Sequence, residues 1–385
     1  MLAAIFLARS LDPEGFAAYS YFQMTVAMLS TYAAMGLGVT ASRYFADFEC
    51  ADNKNSAPIG TLLVLSSAMA VAAFMLVLLL PQAWMQAGLP VPTWLIALGV
   101  SVTVAGVVPG GGILGLEKYR EACVVSLLSG SIMLGMAWLA AMQHSPTLGM
   151  WGIVAGMGSQ VAGQSLLILR TTGWEAIAGS CRWTLSELRE LAGFAGPMSL
   201  VSILAGSGTW IVGRLILADG GEREFAAYSI GLQWFALGVL LPGMVSRVIL
   251  PRLVRTSDAS AKRLVRTGVA MALLPALVMA AGGLLLAPWL IRLYGGAYVY
   301  FTYVIPAFLG VAVLSAPINT LGNAILARNG QVAWLCLSVL SFAVLLLALM
   351  IAPNSTAIWA CYAHLLSTGS MLVVAVSHGR RKGLI

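Results

Sequence analysis

Long runs of apolar residues with almost no charge dominate this chain and limit what it can fold into. Of the 385 residues, 60% are hydrophobic and only 9% are charged, whereas a soluble domain is about 25% charged. A run of about 20 apolar residues is long enough to cross a lipid bilayer as a helix. The composition therefore excludes an ordinary soluble enzyme and predicts a membrane protein built of helices.

Eleven apolar runs are bounded by charged residues, proline or glycine. They predict spans at 16–41, 57–80, 92–114, 121–142, 148–170, 191–217, 225–251, 267–291, 298–327, 331–352 and 355–377. A shorter apolar segment at 1–7 reaches only about 10 Å as a helix. We interpret it either as the end of a truncated first span or as a short helix packed against its neighbours. The predicted fold is all-α, with about 12 transmembrane helices.

Basic residues fall unevenly between the two sets of alternating connections. One set holds 17 of the 21 Lys and Arg residues, and the other set holds only 4. Because cytoplasmic loops retain Lys and Arg, the first set is predicted to be cytoplasmic, together with the N-terminus and the C-terminus. This retention accounts for the net charge of +7, and no nucleic-acid partner is expected.

The pentapeptide Phe-Ala-Ala-Tyr-Ser occurs at 16–20 and again at 225–229, an offset of 209 residues. Each copy follows an acidic connection and opens a long apolar run, and the same offset relates Arg43 to Arg252. Both copies are predicted to cross the membrane in the same direction. The repeat is therefore parallel, and a substrate site is expected where two six-helix bundles face each other. The predicted domains are an N-terminal bundle (1–170), a cytoplasmic amphipathic linker (171–190) and a C-terminal bundle (191–385).

Three segments resemble the polysaccharide-transport, or O-antigen flippase, family of the MATE-like (multidrug/oligosaccharidyl-lipid/polysaccharide) flippase superfamily. Residues 7–46 resemble its opening, where an arginine and a Leu-x-Pro-Glu turn precede a helix that ends with Gly-Leu-Gly and an arginine. Residues 210–228 and 290–331 resemble two later regions of the family. Many members carry an Asp in the seventh helix, but residues 204–211 contain no acid. This departure argues against cation coupling through that helix.

The resemblance implies a flippase that exports a lipid-linked oligosaccharide by alternating access. The cargo would be a polysaccharide repeat unit, of the O-antigen or lipopolysaccharide type, on a polyprenyl pyrophosphate carrier. The implied location is the bacterial cytoplasmic (inner) membrane, among membrane lipids, with a glycan polymerase or glycosyltransferases as candidate partners. No cofactor is implied.

Such a substrate requires groups that hold its phosphates. Arginine suits this task because its planar guanidinium forms paired hydrogen bonds to phosphate oxygens. The candidates are four arginines near the ends of predicted spans: Arg43, Arg214, Arg247 and Arg252. The alternative for each is anchoring at the membrane interface.

The glycan requires uncharged hydrogen-bonding groups along a water-filled path, because an unsatisfied amide in hydrocarbon is costly. The candidates are six amides inside predicted spans: Gln23, Gln233, Gln160, Gln164, Asn319 and Asn323. Residues four apart share one helix face, which applies to the pair in the 148–170 span and to the pair in the 298–327 span. The alternative is hydrogen bonding between packed helices.

A proline and three glycines interrupt the span predicted at 92–114. They are Pro109, Gly110, Gly111 and Gly112. Such residues permit bending between inward-open and outward-open states, and they predict a hinge. Close packing of helices through small residues is the alternative.

The sequence predicts no enzyme chemistry and no metal site. The three histidines, His144, His364 and His378, lie far apart and have no acidic or cysteine partner at ligand spacing. One alternative function is a multidrug or organic-cation antiporter of the same superfamily, which should bind cations through buried acids. Another is a membrane glycan polymerase or acyltransferase, which usually needs a large outer loop or a catalytic His or Asp.

Overall fold

The computed structural model describes residues 1–50, 58–84, 89–181, 185–255, 258–328, 330–351 and 356–382. Within these ranges, side chains are described except at 39, 47, 49, 50, 83, 185–195, 197, 198, 246–255 and 258–261. The described residues form helices and no strand. The predicted all-α fold class is thereby confirmed.

Sixteen α-helices make up the described part of the chain. The first ten are α1 (Leu2–Ser10), α2 (Pro13–Ala34), α3 (Leu37–Cys50), α4 (Ile59–Leu79), α5 (Pro81–Trp84), α6 (Thr93–Ala105), α7 (Val107–Gly115), α8 (Tyr119–Met142), α9 (Pro146–Thr172) and α10 (Trp174–Gly179). The others are α11 (Leu185–Asp219), α12 (Gly221–Arg255), α13 (Asp258–Arg292), α14 (Val304–Ala327), α15 (Gln331–Ile351) and α16 (Ala357–Arg381), with a 3₁₀ helix at Gly296–Phe301 before α14.

Ten helical segments among the described residues are long and apolar enough to cross a membrane. They coincide with ten of the eleven predicted spans, from α4 through α16, where α6 and α7 together form one segment. The chain is therefore a multi-pass membrane protein.

The span predicted at 16–41 is wrong in its C-terminal part, because α2 ends at Ala34 and α3 begins at Leu37. Between them, Met35 and Gly36 have φ angles of 42° and 73°. This left-handed backbone ends a helix. As a result α3 is a separate helix, and it packs against α7.

The chain divides into two compact units, an N-terminal unit (Leu2–Gly206) and a C-terminal unit (Ser207–Ile385). The boundary falls inside α11, C-terminal to the connection at 171–190. Part of that connection forms the short helix α10, which is tied to the start of α4. The Gly60 amide donates to Oγ of Ser180 over 3.0 Å, and the Thr61 hydroxyl donates to the Ser180 carbonyl over 3.3 Å.

Each unit is built around one well-covered span. In the N-terminal unit, α6 packs against α2, α4 and α9, and its continuation α7 packs against α3. In the C-terminal unit, α14 packs against α12, α13 and α16. These two spans are the most buried of the ten candidate spans.

Both copies of the repeated pentapeptide are buried within their units. Phe16 and Phe225 are 0% exposed, and Tyr19 and Tyr228 are 1% and 0% exposed. The first copy lies just inside α2, whose start is fixed by Asp12: its Oδ1 accepts a hydrogen bond of 2.8 Å from the Gly15 amide. The side-chain cap, with proline at the first helical position, explains why the helix begins there.

Candidate functional site

The predicted hinge region contains a break in the helix. The span stops at Ala105 and resumes at Val107, with Gly106 between them. Pro109 explains the position of the break, because it has no N–H to donate to the carbonyl of Ala105 and its ring would clash with that carbonyl in a continuous helix. The helix is therefore interrupted at Gly106, ahead of Pro109, and continues from Val107 as α7.

Helix α9 lies along this break and brings one of the predicted amides to it. A Cβ on Gly110 would lie 3.5 Å from Oε1 of Gln164, and a Cβ on Gly106 would lie 2.5 Å from Val161. Gln164 is 8% exposed. Among the described residues, none forms a hydrogen bond with its amide. Gln160, one turn earlier, is half-buried. The structure thus joins two groups that were predicted separately, the Gln160/Gln164 pair and the proline–glycine segment.

The other two glycines of the segment lie against α3. A Cβ on Gly111 would overlap the carbonyl oxygen of Gly38, and a Cβ on Gly112 would lie 3.0 Å from the ring of Phe45. Close packing through small residues is therefore present at Gly111 and Gly112. A hinge role for the segment stays a prediction.

Two further candidates of the N-terminal unit are exposed. Gln23 is exposed on α2, although Phe22, Thr25 and Val26 beside it are all buried. Arg43 is exposed on α3. Both side chains are therefore accessible to a ligand from outside the unit, and neither belongs to its core.

The two predicted asparagines share one strip of α14. Asn319 and Asn323 are half-buried, whereas Ile318, Thr320 and Leu321 are 4%, 0% and 2% exposed. The amides therefore lie on a less covered strip in the C-terminal half of α14. This agrees with the spacing argument that placed them on one face.

Gln233 and Arg214 are half-buried in the C-terminal unit. Oε1 of Gln233 is buried and has no hydrogen-bond partner among the described residues. The guanidinium of Arg214 lies over the ring of Trp210, one turn earlier on α11, with 4.8 Å from Cζ to the ring centroid. Such stacking restricts the orientation of the planar group.

The remaining two arginines cannot be placed in a site. Arg247 and Arg252 belong to α12, but their side chains lie outside the described residues. Their predicted contact with a phosphate group stays a prediction.

One polar cluster was not among the predicted site residues. Tyr228 of the repeated pentapeptide lies 3.0 Å from Nε2 of His364 and donates to the Thr209 carbonyl over 3.3 Å. Its ring is 5.6 Å from the ring of Phe308. Partners 136 residues apart along the chain cannot be paired by spacing rules. The one available clue was the position of a histidine inside an apolar span.

Acidic groups occupy the ends of the described spans. Glu14 lies in the first turn of α2, Glu121 in that of α8, and Glu222 and Glu224 in that of α12. Among the described residues, no cluster of three His, Cys, Asp or Glu side chains could hold a metal ion.

Solved structures of MATE family and MOP superfamily transporters share this fold. An inward-facing multidrug resistance MATE family transporter of the MOP superfamily aligns with a TM-score of 0.80 and 15% identity. The alignment covers 99% of this chain and 93% of the transporter. An outward-facing structure of a multidrug resistance MATE family transporter aligns with a TM-score of 0.73 and 15% identity, and the alignment covers 99% of this chain and 90% of the transporter. A MOP superfamily transporter from Pyrococcus furiosus, described as having a binding pocket of reverse polarity, aligns with a TM-score of 0.71 and 15% identity. This alignment covers 99% of this chain and 91% of that transporter. No curated protein matches the chain by sequence.

The fold is therefore that of the MATE-like membrane transporters, in which twelve helices form two lobes. Residues 6–302 match the family model described as polysaccharide biosynthesis protein. The chain belongs to this family, and the predicted membership of a polysaccharide-transport family in the MATE-like superfamily is confirmed.

Proposed function

We propose that the protein is a flippase that moves a lipid-linked oligosaccharide across the bacterial cytoplasmic membrane. The cargo would be a polysaccharide repeat unit, of the O-antigen or lipopolysaccharide type, on polyprenyl pyrophosphate. A glycan polymerase or glycosyltransferases would act with it as partners. Both termini would lie in the cytoplasm, as the distribution of basic residues predicts.

The observation that carries this proposal is the strip of amides on α14. Asn319 and Asn323 lie with Ser315 on a half-buried strip in the C-terminal half of α14. Neutral sugars offer many hydroxyl groups, and amides match them because they both donate and accept hydrogen bonds. Gln23 in the N-terminal unit is a further candidate, and it is exposed on α2.

Arg214 supplies the group that a pyrophosphate requires. Its guanidinium is fixed over Trp210, so less side-chain freedom is lost when it forms paired hydrogen bonds to phosphate oxygens. Arg43, which is exposed on α3, is the corresponding candidate of the N-terminal unit.

The direct test is transport in liposomes that contain the purified full chain and a fluorescent polyprenyl pyrophosphate oligosaccharide. A membrane-impermeant quencher reports the fraction of substrate in the outer leaflet. Substrate that crosses the membrane only with the protein present supports the proposal. An unchanged leaflet distribution with correctly folded protein overturns it.

Matched amide variants locate the path. Asn319→Leu and Asn323→Leu remove the polar strip of α14 at similar volume, and transport is expected to fall several-fold in each. Gln143→Leu removes an exposed amide just after α8 and is the control. Equal loss in all three variants would count against a glycan path along α14.

A multidrug or organic-cation antiporter is the second candidate, because the fold is shared with multidrug transporters. The same liposomes loaded with a fluorescent organic cation decide between the two. Efflux of the dye along a proton or sodium gradient, without transport of the oligosaccharide, would favour the antiporter.

A further inference from the structure

His364 sits among aromatic side chains inside the C-terminal unit. It is part-buried on α16, with its ring 6.0 Å from that of Tyr228 and 5.6 Å from that of Phe308. A histidine that can gain charge inside a membrane span is costly to keep unless it has a function. The contacts of its two ring nitrogens indicate what that function is.

The hydrogen bonds around Tyr228 determine which ring nitrogen carries the hydrogen. The Tyr228 hydroxyl is 3.0 Å from Nε2 of His364 and 3.3 Å from the carbonyl oxygen of Thr209. A hydroxyl has a single hydrogen to donate. Both contacts are hydrogen bonds at the same time only if Nε2–H donates to the hydroxyl and the hydroxyl donates to Thr209.

This tautomer leaves Nδ1 of His364 with a lone pair. Among the described residues, none forms a hydrogen bond with Nδ1, and His364 as a whole residue is half-buried. The hydrogen bond made by one ring nitrogen sets the state of the other. Nδ1 is therefore a base that is held in position through Nε2.

We propose that Nδ1 of His364 is a proton-binding site within the C-terminal unit, positioned by Tyr228 and the carbonyl of Thr209. A proton from water adds to the Nδ1 lone pair, the ring becomes an imidazolium, and no bond is broken. The bond from Nε2–H to Tyr228 then becomes charge-assisted and shorter. Because Tyr228 also contacts Thr209, the added charge on α16 acts on α11 as well as on α12.

Several titratable groups lie on the elements packed around the ring. From α12 they are Tyr228 and, one turn earlier, Glu224, whose Oε2 accepts a hydrogen bond of 2.8 Å from the Ala357 amide at the start of α16. Cys361 on α16 lies near Tyr228 and Glu224, and Tyr303, just before α14, lies near Glu224 and Cys361. Glu224 carries the one carboxylate of this group, and it lies at the start of α16, two turns before His364.

The other helices packed on α16 add no competing charge at this level. Helix α14 contains no titratable residue, and α15 contains only Cys336. Cys336 is exposed and lies beyond Ser341, whose hydroxyl contacts that of Ser367 over 2.8 Å. This contact separates Cys336 from His364 along the antiparallel pair.

The test is ¹⁵N NMR of the full chain with labelled histidine in lipid bilayers, with no transport substrate present. The His364 signals are identified by their loss in His364→Gln, or as those that remain in the double variant His144→Gln/His378→Gln. At pH 8 the hydrogen is expected on Nε2, and as the pH falls from 8 to 4 Nδ1 is expected to gain a proton reversibly. A hydrogen on Nδ1 at pH 8, or an Nδ1 that takes up no proton by pH 4, overturns the proposal.

Tyrosine variants test the positioning step. Tyr228→Phe removes the acceptor of Nε2–H, so the tautomer balance and the midpoint of the proton titration are expected to shift. Tyr19→Phe, at the same place in the first pentapeptide, is the matched control and leaves both unchanged. An unchanged His364 spectrum in correctly folded Tyr228→Phe overturns the role of Tyr228. None of these measurements involves the lipid-linked substrate.

Discussion

Phe308 on α14 packs so closely over Gly231 on α12 that a Cβ on the glycine would overlap its ring. In the N-terminal unit, Phe22 on α2 lies 3.3 Å from where a Cβ on Gly99 of α6 would be. Phe22 and Gly231 differ by 209 positions, as do Gly99 and Phe308, and this is the offset of the pentapeptide repeat. The two units thus make the same contact with the aromatic residue and the glycine exchanged.

We predict that Gly231→Ala lowers the stability of the C-terminal unit, because the added methyl group overlaps the ring of Phe308. Overpacking of this kind costs about 1–3 kcal/mol. Thermal unfolding followed by tryptophan fluorescence measures the loss. The control is Gly243→Ala on the same helix, where a Cβ meets nothing within 4 Å. Equal midpoints for the two variants would show that the close contact is absent.

Pro109→Ala is expected to make the span continuous across Gly106. Alanine restores an N–H that can donate to the Ala105 carbonyl, and it removes the clash of the proline ring. Proline costs roughly 3 kcal/mol relative to alanine in a helix interior. The variant should therefore be at least as stable as the natural chain but transport substrate more slowly. Pro146→Ala is the control, because proline at the first position of α9 disrupts no helical hydrogen bond. Transport at the natural rate in Pro109→Ala would reject the hinge.

Glu224→Ala should destabilise the start of α16, since its carboxylate accepts the Ala357 amide hydrogen. Loss of a side-chain cap costs about 0.5–2 kcal/mol. Hydrogen exchange of the first turn of α16 reports the effect locally. Glu222→Ala, on the exposed side of the same first turn, should leave that exchange unchanged. Equal exchange in both variants would mean that the cap contributes nothing.

Arg214→Lys should lower transport of a pyrophosphate-linked substrate by about tenfold or more. Lysine keeps the positive charge but cannot form the paired hydrogen bonds of a guanidinium. A hydrogen bond to a charged group contributes roughly 1.5–3 kcal/mol. Initial rates in the liposome assay measure this. The chain offers a second stacked pair as the control, Arg292 over Trp289 at 5.9 Å. Arg292 is exposed, so Arg292→Lys is expected to have no effect. Equal rates in both variants would reduce Arg214 to an interface anchor.

The spans could be predicted from the sequence because the bilayer imposes a length and a polarity on each of them. The shared face of Asn319 and Asn323 followed from helical geometry alone. The end of α2 at Ala34 was not predicted, because a hydropathy pattern carries no information about the left-handed backbone at Met35 and Gly36.

The break at Gly106 and the Tyr228–His364 pair needed the structure for different reasons. Pro109 predicts that the helix is disturbed. The exact residue at which the helix is interrupted, Gly106, depends on packing against Val161 of α9. Tyr228 and His364 meet only after α12 and α16 have packed. Local sequence rules describe a helix and its ends, not its distant neighbours.

Helix α11 runs without interruption through 35 residues, and the boundary between the units falls between Gly206 and Ser207. A cut at the 171–190 connection would therefore leave the C-terminal fragment with the part of α11 that belongs to the N-terminal unit. The N-terminal fragment alone would lack that part of its own unit. When the two fragments are expressed together, they should associate, because that part of α11 can then pack into the N-terminal unit again. The two halves of this chain are therefore expected to complement each other and not to fold as independent modules.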